Sequence, residues 1–395
     1  MRILHIATSV KGGAGIAAKR IAEAQVKIGL DSKFLTRDQE NLKIGDKMSA
    51  STKIYSKFVT QGQKIFIQKK DSLMTSFSID VFGSSNDFFY QFDIIHVHAM
   101  YNYISLRRIV ELSKKIPICI TLHDQRLFTG GCHYSNDCLN FQSDCTDCPQ
   151  TKKSFNWVPG VTLNKSLALL ESNYKLYYIT PSEWLKTKAE QSALLKGKTV
   201  YKIANAVPEV YKRNNVPNVQ SNSIIIGFFA SDLNNPLKGL HTLLRACEIA
   251  GKKIRVTLKL FGTGKLPIKI SNFEFSMHEF TNDLMAVQAY QSCDLIVVPS
   301  LQDNYPNVIL EALSCGVPVI GSRVGGISEI LSSYGLPSFL VNDFAELSEL
   351  LINFKNLNKS FDFYHKARRD FSYETSGNAH LKLYEEHINK YHLLK

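Results

Sequence analysis

Two carboxylates eight positions apart, Asp303 and Glu311, flank the start of an apolar helical pattern within Cys293 to Leu331. Asp303 stands in a polar loop, Ser300 to Tyr305, and Glu311 lies two turns into the helix. Pro306 suits the first helical position, where its missing N–H costs nothing. Backbone N–H groups at Asn304 to Val308 and at Gly326 to Ser328 belong to two helix starts, which favour an anion. Lys238 precedes Gly239 at another helix start, where a cation opposes the helix dipole unless an anion sits beside it. His96 and His98 share one face of a strand at period two. Such a pair can hold a metal, although a strand end facing a ligand cleft is its commoner meaning. Cys132, Cys138, Cys145 and Cys148 fall within seventeen residues, spaced C-x5-C-x6-C-x2-C. Four thiolates so close suit a tetrahedral structural zinc, with no open position for catalysis. Cys145 and Cys148 have the spacing of a zinc knuckle half, while the first pair is wider than usual. Disulfides and free thiols are the alternatives.

These residues need strands to position them. Arg2 to Ala7, Asp31 to Leu35, Asp93 to His98, Ile116 to Leu122, Tyr177 to Thr180 and Val200 to Ile203 read as strands in the first half. Ile224 to Phe229, Val256 to Phe261, Leu295 to Val298, Val317 to Ile320 and Phe339 to Val341 follow in the second. Short apolar runs that alternate with helical patterns indicate parallel α/β sheets. Helices are expected at Ile16 to Ile28, Thr162 to Ser172, after an N-cap at Ser182, after Lys238, at Leu284 to Tyr290, and from Ile327. Others are expected near Ile54 to Phe66, Phe344 to Asn356, Tyr364 to Phe371 and Gly377 to Tyr391. The loop Val10 to Gly15, with Gly12, Gly13 and Gly15, is either a tight strand-to-helix turn or a close backbone approach to a phosphate or acceptor. A chain of 395 residues exceeds one usual core. The expected division is 1–207 with a Cys-rich loop at 129–149, a linker at 208–222, a second domain at 223–376 and a final helix at 377–395.

The stretch Asp303-Asn304-Tyr305-Pro306-Asn307 through Glu311-Ala312, then Gly316-x-Pro318-Val319 and Gly325-Gly326 with Glu329, resembles the signature of retaining GT-B glycosyltransferases of family four, also called glycosyl transferases group 1. The departure is Asp303, where Glu is usual. The resemblance implies two Rossmann-like doubly wound α/β domains facing across a cleft. It implies transfer of a sugar, with retention, from a UDP- or GDP-sugar to a glycan or lipid-linked acceptor in bacterial polysaccharide or lipopolysaccharide assembly. His123, Asp303 and Glu311 then take catalytic places. Lys238, Gly13, Asn304, Asn307, Val308 and Glu311 take the donor, and Gly12, Gly15 and His98 lie on the acceptor side. Glu311 would accept hydrogen bonds from ribose hydroxyls, and no catalytic metal is expected. The family's usual Arg six positions before Lys238 is Asp232 here. A GT-B epimerase or phosphorylase is the alternative.

The net charge of +12 raises nucleic acid or an anionic membrane surface as partners. No RNA-binding aromatic motif accompanies the charge, so nucleic acid is not expected; a zinc-containing nucleic-acid binder would leave the Asp303 to Glu311 stretch unexplained. Lys64, Lys69 and Lys70 around Ile65-Phe66-Ile67 suit either a membrane-surface helix or an ordinary surface one. The N-terminus does not read as a signal peptide and no run reaches membrane-span length, so a cytoplasmic protein with reduced thiols, peripheral to the inner leaflet, is expected.

Overall fold

Arg2–Ala7 is apolar at most positions and forms β1, buried on both faces as parallel strands under helices are. The computed structural model describes residues 1–37, 61–62, 65–68, 73–76, 78–82, 85–170, 175–213, 223–265, 271–279, 282–354 and 363–393. Lys64, Lys69 and Lys70 and most of the helix expected near Ile54 to Phe66 lie outside these residues, as does the linker segment 214–222. Two units divide the chain: Met1–Ala204 with Ser376–Lys395, and Asn205–Thr375.

In the first unit β1 leads to α1 (Gly12–Lys27) and β2 (Asp31–Thr36). Then follow β3 (Ile94–Val97), α2 (Leu106–Ser113), β4 (Ile118–Thr121), α3 (Val158–Leu170), β5 (Leu176–Thr180), α4 (Glu183–Gln191) and β6 (Val200–Lys202). The sheet is parallel in the order β2-β1-β3-β4-β5-β6. Strand order reverses between β1 and β3, so the loops after those strands flank the place where open sheets bind ligands. Helix α1 begins at Gly12 rather than near Ile16. The glycines therefore form its first turn instead of a loop before it. Gly12 has φ 75°, and a Cβ on Gly15 would stand 2.3 Å from the Ser9 carbonyl, so a left-handed entry and a close loop both require glycine.

In the second unit β7 (Ser223–Asp232), α5 (Leu240–Ala250), β8 (Arg255–Thr263), β9 (Glu274–His278), α6 (Asp283–Gln291) and β10 (Leu295–Val298) come first. They lead to α7 (Asn307–Ser314), β11 (Val319–Ser322), α8 (Gly325–Ser333), β12 (Leu340–Val341), α9 (Phe344–Asn353) and α10 (Phe363–Asp370). The parallel order is β12-β11-β10-β7-β8-β9, which reverses between β7 and β10. Lys238 follows β7 and Asp303 follows β10, so both lie at that switch point. Pro306 is the N-cap of α7, one position outside the helix. The strand expected at Val317 to Ile320 is shifted to Val319–Ser322. Strand β9 is additional to the expected set. It is a largely exposed sheet edge on which Phe275 and Met277 alternate with polar residues but stand in solvent.

Helix α11 (Tyr373–Leu393) ends the chain, and from Ser376 it belongs to the first unit. Its Leu383 and Tyr384 cover Ile3, Ile94, Cys119 and Ile179 on one sheet face. The opposite face, Leu4, Ile6, Ile95, Val97, Ile118 and Ile120, packs with α2, α3 and α4. Among the described residues no helix is long and apolar enough to cross a membrane.

Gly239 is left-handed at φ 72°, and a Cβ there would lie 1.8 Å from the Pro299 carbonyl. Gly335 has a similar φ of 75° with open space around it. Gly335→Ala should cost only the left-handed penalty of about 1–2 kcal/mol, whereas Gly239→Ala must also displace the backbone after β10. The expected outcome is a clearly larger fall in melting temperature for Gly239→Ala; equal shifts would contradict the tight β7–β10 contact.

Candidate functional site

At the switch point of the second unit, Lys238 Nζ donates to Asp303 Oδ2 at 2.7 Å. Asp303 is buried and Lys238 is partly exposed. The Asp303 carbonyl accepts from Gly326 N–H at 3.2 Å, and a Cβ on Gly325 would come within 2.0 Å of that carbonyl. One residue thus joins the loop after β7, the loop after β10 and the start of α8. Leu301 N–H donates to the Leu237 carbonyl at 2.8 Å, a second tie between the first two loops. The amides of Ile327 and Ser328 reach the Val324 carbonyl. The Gly326 to Ser328 N–H groups, expected to face an anion, are therefore spent within the protein.

Glu311 lies in the middle of α7 and is buried, where a solvated helical carboxylate would be exposed. Tyr290 donates its hydroxyl to Glu311 Oε2 at 2.6 Å and stacks on Phe229 at 4.1 Å. Burial, and then the Glu311 carboxylate, push the Tyr290 phenol well up, so it remains a donor. Asn304 is buried in the loop, while Asn307 and Val308 open α7. Asn307 Oδ1 accepts from Asn205 Nδ2 at 3.1 Å. Lys238, Asp303, Asn304, Asn307, Val308 and Glu311 are thus all in the second unit, in the loops and helix that surround its switch point.

The first unit holds a histidine network that extends beyond the His96 and His98 pair. Strand register sets His5 beside His96, and alternation carries the face Ile3, Ile94, Cys119 into His5, His96, Thr121 toward the strand ends. Gln25 Oε1 accepts from His5 Nε2 at 2.8 Å, and Gln25 Nε2 donates to the Tyr384 hydroxyl at 2.8 Å. His5 Nδ1 must then accept, at 2.9 Å, from His98 Nε2. His98 Nδ1 in turn accepts from His123 Nε2 at 3.1 Å. Tyr384 gives its proton to His96 Nδ1 at 2.5 Å, and His96 Nε2 reaches Thr121 Oγ1 at 2.7 Å. One glutamine therefore sets the tautomer of four rings, a chain that ends at His123. The ligand nitrogens of His5, His96 and His98 lie within 4.8 Å of one another, close enough for a metal. Each of these nitrogens already has a hydrogen-bond partner, so the arrangement reads as a relay of neutral rings. Both nitrogens of His98 are taken inside the unit, by His5 and His123.

A second polar cluster adjoins His123. Asp124 accepts from His133 Nδ1 at 2.7 Å, from the Tyr101 hydroxyl at 2.8 Å and from the Arg126 N–H at 2.9 Å. Burial alone would raise the Asp124 carboxyl, but His133 and these hydrogen bonds outweigh it and hold it below its usual value. The Arg126 guanidinium lies 4.3 Å over the Tyr101 ring and also helps line a cavity of about 770 Å³ with Ser76, Asp80, Arg107, Thr129 and Lys165. His5, Gln25, Tyr101, Asp124, His133, Tyr290 and Tyr384 adjoin the candidate residues, and the sequence reading did not select them. Gly13 is exposed with open space above it, Gly12 is partly exposed and Gly15 is buried. Cys132, Cys138, Cys145 and Cys148 line one small space, and none forms a disulfide.

The fold resembles two solved glycosyl-transferring structures. A sucrose-phosphate synthase of Thermosynechococcus elongatus superposes with a TM-score of 0.63 at 16% identity over 98% of each chain. The catalytic domain of starch synthase IV from Arabidopsis thaliana, bound to ADP and acarbose, superposes at 0.58 and 12% identity, covering 98% of this chain and 99% of that one. Residues 223–354 match the family profile described as glycosyl transferases group 1. These findings show the GT-B architecture of two parallel-sheet α/β units, with the match to glycosyl transferases group 1 lying in the second unit. Over 364 residues it is 25% identical to WcaC of Escherichia coli (strain K12), named for colanic acid biosynthesis glycosyl transfer, covering 82% of this chain and 84% of WcaC.

Burial lowers His5 to about 3 and both His123 and His380 to about 4, and it holds His96 and His98 well below 6.5. Unfolded histidines take up protons below about 6.5, while these stay neutral in the fold. Stability from this source is therefore complete above pH 6.5 and is lost as pH falls toward 4. The loss is about 1.4 kcal/mol per histidine per pH unit. Melting temperature should fall steeply between pH 7 and pH 5; a flat profile would contradict the neutral network.

Proposed function

We propose that the chain transfers a sugar from a nucleotide-sugar donor to a glycan or lipid-linked acceptor, with retention of anomeric configuration, as a family-four glycosyltransferase. The Lys238–Asp303 pair at the β7/β10 switch point, beside buried Glu311, is the observation that carries this reading. Lys238 supplies positive charge where a diphosphate needs it, and Asp303 fixes its position. Glu311, held at Oε2 by Tyr290, keeps acceptor capacity for ribose hydroxyls, since a carboxylate offers about four lone-pair sites.

In the transfer, the bond between the anomeric carbon and the phosphate oxygen breaks while a bond to the acceptor oxygen forms on the same face. The acceptor proton passes to the leaving phosphate oxygen. Charge grows on that phosphate, and a preorganised cation such as Lys238 stabilises it more than it stabilises the ground state. Asp303 serves the donor sugar, and neutral His123, with its tautomer fixed, keeps the catalytic place that the resemblance gives it. Gly12 and Gly15 lie in the helix start at the switch point of the first unit, on the acceptor side, and Gly13 between them keeps the donor place that the resemblance gives it. WcaC favours a cell-surface polysaccharide intermediate as acceptor, which would place the work at the inner face of the plasma membrane. No catalytic metal enters this scheme.

Thermal shift against UDP-, GDP-, ADP- and dTDP-sugars should show one nucleotide class stabilising the protein by about 2.7 kcal/mol at a hundredfold excess over Kd. Glu311→Ala should lose that shift. Stabilisation by no class, or an equal shift in the variant, would contradict the donor site. Proton NMR of the first product formed should show the anomer of the donor; the opposite anomer would contradict retention.

A further inference from the structure

We propose that Cys132, Cys138, Cys145 and Cys148 bind one zinc ion as a structural clamp in the first unit, a role separate from the transfer reaction. The four cysteines line a single small space together with Met74, Phe141 and Pro159. The sulfurs are near enough to repel one another as thiolates, but no three of them stand within 4.8 Å of one another, so the ion has to draw them together. The turn between the last two is wound tightly by left-handed backbone at Cys145, φ 56°, and Asp147, φ 51°. Gly130 donates its backbone N–H to Cys145 Sγ at 3.2 Å, the kind of bond that supports a thiolate ligand.

The neighbouring histidine does not compete for the ion. His133 has Nδ1 on Asp124 at 2.7 Å and Nε2 on Thr75 Oγ1 at 3.0 Å. The donor set is therefore four sulfurs, which suits a closed tetrahedral zinc site. Binding releases the four thiol protons as the four zinc–sulfur bonds form.

The local architecture also calls for such a clamp. Between Thr129 and Lys152 the only regular element is the single 3-10 turn Asn140–Gln142, and many of these residues are exposed. Yet this loop holds the described parts of the preceding excursion. Met74 pairs with Cys132 and Ile67 with Thr151, and backbone bonds join Gln68 to Gln150 and Lys152 to Phe66. A segment with so small a core of its own gains order from a metal staple, as small domains do. Through His133 the clamp also steadies Asp124, the residue next to His123.

The test uses the full-length protein, purified reduced and exchanged into metal-free buffer after incubation with zinc. Elemental analysis should find one zinc per chain. Cys138 and Cys148 are only partly buried, so without metal they should alkylate readily. With zinc bound they should resist iodoacetamide until a strong chelator is added. Cys138→Ser and Cys148→Ser should each lower zinc content, and the labelling of wild-type protein keeps the test decisive if either variant fails to fold. Cobalt in place of zinc should give the thiolate charge-transfer bands of a tetrahedral sulfur site. A protein that retains no zinc, or in which Cys138 and Cys148 label at the same rate with and without chelator, would overturn the proposal.

Discussion

Asp303 is the residue on which the second unit's ligand loops depend. Its side chain holds Lys238 from the loop after β7, while its carbonyl receives the first turn of α8. The space at Gly325 and Gly239 is closed by backbone, so neither loop can move away from this arrangement cheaply. The ion pair is only partly screened, because Asp303 is buried while Lys238 is half exposed. Its contribution to stability is small by the standards of such pairs. Its value lies in aiming a cation at one point, which is what a site for a growing phosphate charge requires.

The first unit solves a different problem by similar means. Parallel strands buried on both faces leave little room for polar groups, and any that enter must find partners. Here histidines are placed where β1, β3 and β4 run out toward their ligand-binding ends, and Gln25 and Tyr384 satisfy them from α1 and α11. Because Gln25 presents its carbonyl to His5, proton positions follow along the chain to His123. The terminal helix therefore matters to the chemistry of a residue near the middle of the sequence: Tyr384 is both part of the core and the partner of His96.

Much of the α/β pattern was legible in the sequence, because parallel strands write themselves as short apolar runs and helices as periodic ones. Leu295–Val298 and the helix carrying Glu311 are clear examples. Strand β9 was not legible as a core strand, since Phe275 and Met277 are the two apolar positions of a five-residue edge and both stand in solvent. The start of α1 was misplaced because glycines read as loop, whereas Gly12 and Gly15 are fixed by φ and by a close carbonyl. Lys238, Asp303 and Glu311 could be chosen from local spacing and resemblance, but the pairing of Lys238 with Asp303 spans 65 positions and leaves no local trace. The histidine relay is similar: the link from Gln25 to Tyr384 crosses 359 positions. The signal that pointed toward it was the His96 and His98 pair at period two, while the place of His5 beside His96 depends on strand register.

The account rests on Lys238 and Asp303 acting as one unit upon a nucleoside diphosphate. A double-mutant cycle, with Lys238→Met, Asp303→Asn and the pair, measured by calorimetric titration of UDP, GDP and ADP, tests this most directly. For whichever diphosphate binds, each single variant should weaken binding by about tenfold, which is about 1.4 kcal/mol. The double variant should lose little more than either single one, because coupled residues are not additive. Fully additive losses, or no binding of any of the three to the unmodified chain, would contradict it.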